Sequence, residues 1–155
     1  MDGITNNYIE DFLRPLTTNF IGVFSSNNLP QNLPKTKTFS LVCNHDKVGE
    51  AGSHFITVIH CNYFILYIDS LGLLCTISDI RNFLFSFELP VFYNSRQLQS
   101  IDSSFCGFYC ILYVLYFDNF LETFVFPSKL FFNSNELSFN DALCINHIVK
   151  LVKSL

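Results

Sequence analysis

The stretch from Phe105 to Phe117, "FCGFYCILYVLYF", carries no charge and is dominated by aromatic and aliphatic side chains. It is too short to cross a bilayer, which takes about 20 residues, and Asp118 ends it. Length and apolarity instead predict a helix from Phe105 to about Phe120, placed centrally and packed on a sheet. The rest of the chain supplies that sheet. "HFITVIH" (His54 to His60) and "YFILYID" (Tyr63 to Asp69) are rich in β-branched and aromatic residues and are separated by "CN". They predict two adjacent antiparallel strands joined by a tight turn.

Other elements frame this centre. "FIGVF" (Phe20 to Phe24), "TFSLVCN" (Thr38 to Asn44) and "PVFYNS" (Pro90 to Ser95) are expected strands. "TNNYIEDFLRP" predicts a first helix capped by Asn6 or Asn7, with Tyr8, Phe12 and Leu16 on one face and Pro15 at its end. Thr76 with Asp79 suggests a capping box for a helix in "SDIRNFLFSF". Ser138 with Asp141 marks a last helix whose apolar face is Ala142, Ile145, Val149 and Val152. "SSNNLPQNLPKTK" and "FPSKLFFNSNEL" read as loops. The expected fold is α+β: a mixed, mainly antiparallel sheet packed on a central helix, in a single domain spanning residues 1–155.

Half of the 155 residues are hydrophobic and only 14% are charged, enough for one core and far from a disordered composition. The N-terminal "MDGITNNYIED" has neither a basic nor an apolar signal region, so synthesis in the cytosol is expected. The six cysteines are then expected to be reduced. Net charge is −4, and no basic stripe suggests a nucleic-acid groove. No Gly-rich phosphate cradle occurs.

Four positions fall at junctions where chemistry can sit. His54 opens one strand of the hairpin and Asp69 ends the other, so hairpin geometry alone brings them together. A carboxylate beside an imidazole fixes its tautomer and stabilises its protonated form. Cys106 opens the central helix, where the dipole favours a thiolate. Gln99 lies seven residues earlier, on the polar approach "QLQSIDSS", where its amide and the Cys106 N–H can donate to an oxyanion. Each residue also has a plainer role: His54 as a strand end, Asp69 as a turn former, Gln99 as a surface residue, Cys106 as packing, disulfide or metal ligand. Their order raises the nucleophilic reading, Cys–His–Asp. Cys106 and Cys110 are one turn apart, but no C-x-x-C pair exists, so no metal is expected. Cys110, Cys61, His45, His60 and His147 read as structural.

The pattern resembles the adenain-type cysteine proteases of adenoviruses, with cousins in virophages, adintoviruses and Maverick/Polinton elements. "GSHF" (Gly52 to Phe55) is similar to that family's Gly-x-His-aromatic. "YFILYIDSLG" resembles its aromatic strand ending in an acid, and "QSIDSSFCGFYC" its Gln, six intervening residues, Cys-Gly-aromatic-x-Cys pattern. The similarity spans roughly residues 8–153. It implies a papain-like, adenain-type fold with His54 as general base, Asp69 as its orienting acid, Cys106 as nucleophile, Gln99 as oxyanion donor and Phe55 lining the substrate cleft. It implies a cysteine endopeptidase that matures capsid or core precursors of a virus or virus-like element, at assembly sites in the host cytoplasm or nucleus, or packaged in the virion.

The implied partner is a polypeptide substrate, with no membrane, and the enzyme is expected to be a monomer without cofactor. Adenovirus enzymes use mostly Glu where this chain has Asp69, and related proteases that remove ubiquitin-like proteins use Asp. Those form the alternative reading. The family's activating peptide attaches through a Cys between acid and Gln. Cys75 is the only thiol there and is out of place, and an acidic chain argues against DNA as an activator. An acyltransferase with the same residue order would need a basic acetyl-CoA site, which the sequence lacks.

Overall fold

The computed structural model describes residues 3–119 and 136–155. Helix α1 (Asn6–Leu13) leads into strand β1 (Phe20–Ser25) and a 3-10 turn (Ser26–Asn28). Strands β2 (Phe39–Asn44), β3 (Phe55–His60) and β4 (Ile65–Ile68) follow. Helix α2 (Ser78–Phe85), strand β5 (Val91–Tyr93), helix α3 (Cys106–Asn119) and helix α4 (Leu137–Ser154) complete the described chain. The expected extension of α3 to Phe120 and most of the loop "FPSKLFFNSNEL" lie outside the described residues.

One five-stranded sheet runs β1-β2-β3-β4-β5. The expected hairpin is present: β3 and β4 are antiparallel, with Thr57 opposite Ile68 and His60 opposite Ile65. The β2–β3 pair is antiparallel as well, but β1–β2 and β4–β5 are parallel. The sheet is therefore evenly mixed rather than mainly antiparallel. The cause is connectivity, because β1 reaches β2 through a long loop and β4 reaches β5 through α2. Such crossovers return the chain in its original direction.

Apolar cores lie on both faces of the sheet. Val42, Phe55, Ile59, Leu66 and Ile68 point to the face covered by α1, α3 and α4. The alternate residues Leu41, Cys43, Ile56, Val58, Ile65 and Tyr67 point to the face covered by α2. This period of two explains why β2 and β3 are buried throughout and read as continuous apolar runs. Helix α3 packs against β3, β2, α1 and α4, and its residues from Tyr109 to Phe117 are all buried. A helix apolar on every side needs neighbours on every side.

Three local expectations are corrected. The cap of α1 is Thr5, whose Oγ1 accepts from Tyr8 N at 3.2 Å, rather than Asn6 or Asn7. Helix α2 begins after Ile77 with no side-chain cap, so Thr76 sits one residue too early. The buried face of α4 is Asn140, Asp141, Cys144 and Ile148, whereas Ala142 and Val149 are exposed. Polar anchors set this rotation: Tyr109 Oη donates to Asp141 Oδ1 at 3.0 Å and Asn140 Nδ2 donates to Leu98 O at 3.2 Å.

The turn after β4 depends on Gly72. Its φ is +70°, and a Cβ there would lie 2.7 Å from Arg96 C and Gln97 N. The Gln97–Gln99 segment is thereby held close against the end of β4. Gly72→Ala should cost about 3 kcal/mol, from left-handed backbone strain and overpacking together. Gly49→Ala is the control, since Gly49 has φ +90° with nothing within 4 Å of its would-be Cβ. It should cost only about 1–2 kcal/mol. Urea unfolding of both variants checks this, and equal losses would remove the close-approach argument.

Candidate active site

His54 directly precedes β3 and Asp69 directly follows β4, so their side chains meet diagonally across the end of the hairpin. The His54 Nε2–Asp69 Oδ1 distance is 2.8 Å. A carboxylate only accepts hydrogen bonds, so Nε2 carries the proton and Nδ1 is the nitrogen left for a second partner. Asp69 has no solvent exposure. Its Oδ1 also accepts from Leu71 N at 2.8 Å, and Gly72 N donates to its carbonyl at 2.9 Å. Asn94, just beyond β5, clamps its main chain. Asn94 Oδ1 accepts from Asp69 N at 2.7 Å and Nδ2 donates to Asp69 O at 2.6 Å.

Cys106 is the first residue of α3, and its side chain lies near enough to the His54 ring to act on that ring's protonation. The N–H groups of a helix's first turn have no intrahelical partner and point their dipoles toward this end. Gly107 follows because the N-terminal segment crosses here, and a Cβ at 107 would fall 2.6 Å from Ile4 Cγ1. Cys110, one turn deeper, is 2% exposed, and burial pushes its thiol well up, in keeping with a packing role.

Gln99 is buried, and its amide is held at both ends. Ser70 Oγ donates to its Oε1 at 2.6 Å, and its Nε2 donates to Ser103 O at 2.7 Å. One of the two Nε2 protons is thus used by Ser103, leaving the second. His54, Phe55, Gln99 and Cys106 all line one cleft of about 740 Å³. The glycine-containing loop at Gly49 to Ser53 lines the same cleft.

Burial works against a charged His54. The hydrogen bond to Asp69, the neighbouring Cys106 side chain and the charge of Asp69 outweigh it and raise the ring to about 9. His45 behaves oppositely. It packs edge-on against His54 with ring centroids 4.9 Å apart, and its Nε2 lies 3.3 Å from Tyr67 Oη. Burial first, then the neighbouring His54 charge, push it down to about 4. His45, His54 and Asp69 offer ligand atoms within 4.8 Å of one another, the metal-capable group among the described residues.

All five residues singled out in the sequence gather here: His54, Phe55, Gln99 and Cys106 on the cleft and Asp69 behind His54. Sequence reasoning missed Ser70, Asn94 and His45. Ser70 and Asn94 had the signal of small polar residues flanking strand ends. His45 had only its proximity to β2.

The six cysteines are free thiols. Among the described residues no helix is long and apolar enough to cross a membrane. No family model and no curated protein sequence matches the chain. Among solved structures, the central domain of the uncharacterized Lpg1148 protein from Legionella pneumophila is similar, with a TM-score of 0.57 at 11% identity over 99% of each chain. That likeness concerns the fold.

These opposite shifts give a two-sided pH dependence of stability. The raised His54 pKa contributes stability that is full below pH 6.5, its ordinary value, and is lost as pH rises through about 9. The lowered His45 pKa leaves stability full above pH 6.5 and erodes it as pH falls toward about 4. His54→Gln should flatten the alkaline limb of a Tm-versus-pH curve and His45→Gln the acid limb. Parallel curves for wild type and either variant would contradict the corresponding assignment.

Proposed function

We propose that this chain is a cysteine endopeptidase of adenain type, processing capsid or core precursor proteins of a virus or virus-like element. The observation that carries the reading is the His54–Asp69 hydrogen bond of 2.8 Å beside Cys106 at the start of α3, within one cleft. A histidine held protonated by a buried carboxylate is what a thiolate nucleophile needs as its partner.

In this mechanism Cys106 Sγ attacks the scissile carbonyl carbon, and the carbonyl π pair moves onto oxygen. The Cys106 N–H and the remaining Nε2 proton of Gln99 donate to that oxyanion. As the tetrahedral species collapses, the C–N bond breaks and His54 gives its proton to the departing amine. Neutral His54 then takes a proton from water, whose oxygen attacks the thioester. The C–S bond breaks, the carboxylic acid leaves, and the Cys106 thiolate is restored beside protonated His54. Asp69 keeps the imidazole in one tautomer and orientation throughout. The loop at Gly49 to Ser53 also lines this cleft.

A second reading, removal of ubiquitin-like proteins, is favoured by Asp rather than Glu at position 69 and by Ile101, which is 78% exposed on the cleft rim. It needs a folded partner resting outside the cleft and a diglycine tail within it.

Capsid precursors incubated with wild type should yield new termini by mass spectrometry, and Cys106→Ala should yield none. Gln99→Ala should lower kcat by about 10²–10³. Identical termini from wild type and Cys106→Ala would overturn the proposal. Cleavage of diglycine-linked ubiquitin-like substrates but of no precursor would select the second reading.

A further inference from the structure

Ser70 holds the Leu98–Gln99 segment at three points, two of them on Gln99. Its carbonyl accepts from Leu98 N at 2.8 Å and from Gln99 N at 3.0 Å, and its hydroxyl donates to Gln99 Oε1 at 2.6 Å. Ser70 is 2% and Gln99 3% exposed, so neither exchanges these partners for water. The same residue is covalently next to Asp69, whose main chain Asn94 clamps from the far side of the sheet edge. One dipeptide, Asp69–Ser70, thus serves both the imidazole and the amide.

We propose that Ser70 is a positioning residue for the oxyanion, fixing the Gln99 amide so that its free N–H faces the cleft. This rests on the protease reading above. Two physical effects act together. An amide with its oxygen pinned cannot rotate to present Oε1, an acceptor that would repel the developing negative charge. The hydroxyl also draws electron density toward Oε1, which makes the opposite N–H a stronger donor. Ser103 O holds the other amide proton at 2.7 Å, so Ser70 and Ser103 leave one direction for the remaining proton. Replacing Ser70 by alanine removes only the hydroxyl bond. The two main-chain anchors stay, so the loop keeps its course.

The test uses wild type, Ser70→Ala, Ser70→Thr, Gln99→Ala and the double variant Ser70→Ala/Gln99→Ala. Ser70→Ala should lower kcat by about tenfold, less than loss of the donor itself, with KM unchanged. Affinity for a peptide aldehyde should fall in parallel. Its adduct forms a Cys106 S–C bond and turns the carbonyl oxygen into the group that Gln99 contacts. Alkylation of Cys106 by iodoacetamide, which builds no oxyanion, should keep its wild-type rate. Ser70→Thr, retaining the hydroxyl, should restore kcat, and the double variant should be no worse than Gln99→Ala alone.

Wild-type kcat and aldehyde affinity in Ser70→Ala, an equal drop in alkylation, or additive losses in the double variant would each overturn the proposal. A readout independent of catalysis separates its failure from failure of the protease reading. The Gln99 side-chain amide protons, followed by NMR, should exchange slowly with solvent in wild type and markedly faster in Ser70→Ala. If no peptide is cleaved by wild type, the protease reading falls, and equal exchange in the two proteins rejects the positioning role by itself.

Discussion

Asp69 is a carboxylate with no solvent exposure, and such a group persists only where its charge is met. His54 Nε2 and Leu71 N meet the carboxylate at Oδ1, while the Asn94 clamp fixes the main chain that carries it. Much of the local architecture follows from keeping those partners in place. The antiparallel β3–β4 register brings His54 to the acid. The crossover through α2 returns the chain as β5, parallel to β4, which delivers Asn94 beside Asp69. The tight approach at Gly72 presses the Gln97–Gln99 segment against the same turn. Helix α3, enclosed by sheet and helices, then sets Cys106 at the end of that frame where His54 lies.

Two histidines with rings 4.9 Å apart are driven in opposite directions. Both are penalised by burial. His54 has a carboxylate in contact and the Cys106 side chain beside it, and so it is raised to about 9. The hydrogen-bond partner of His45 is a neutral Tyr67 hydroxyl, and it faces a charged His54, so it falls to about 4. Burial alone does not decide protonation; the sign and distance of the neighbours do. A neutral ring packed edge-on beside a charged one also limits where the charged ring can turn.

The hairpin was legible because its two apolar runs and short turn admit one pairing, and that pairing alone carries His54 to Asp69. The position of Cys106 was legible as the change from polar to apolar chain at "SSFC". The parallel pairings were not, since period and propensity describe a strand without naming its neighbour's direction. Ser70 and Asn94 were hidden for a related reason. Asn94 lies 25 positions from Asp69 and Ser70 lies 29 from Gln99, so their place at strand ends was visible but their partners were not. The face of α4 went astray because buried polar anchors, Asp141 and Asn140, overrode its aliphatic stripe.

The central claim is that Asp69 and Cys106 together hold His54 protonated in the cleft. NMR titration of isotope-labelled histidine measures this directly, with His54→Gln assigning the signal. The expected result is a His54 midpoint near 9 in wild type, falling toward the ordinary 6.5 in Asp69→Asn and by a smaller amount in Cys106→Ala. A wild-type His54 that titrates at or below 6.5, or one indifferent to both substitutions, would contradict the account.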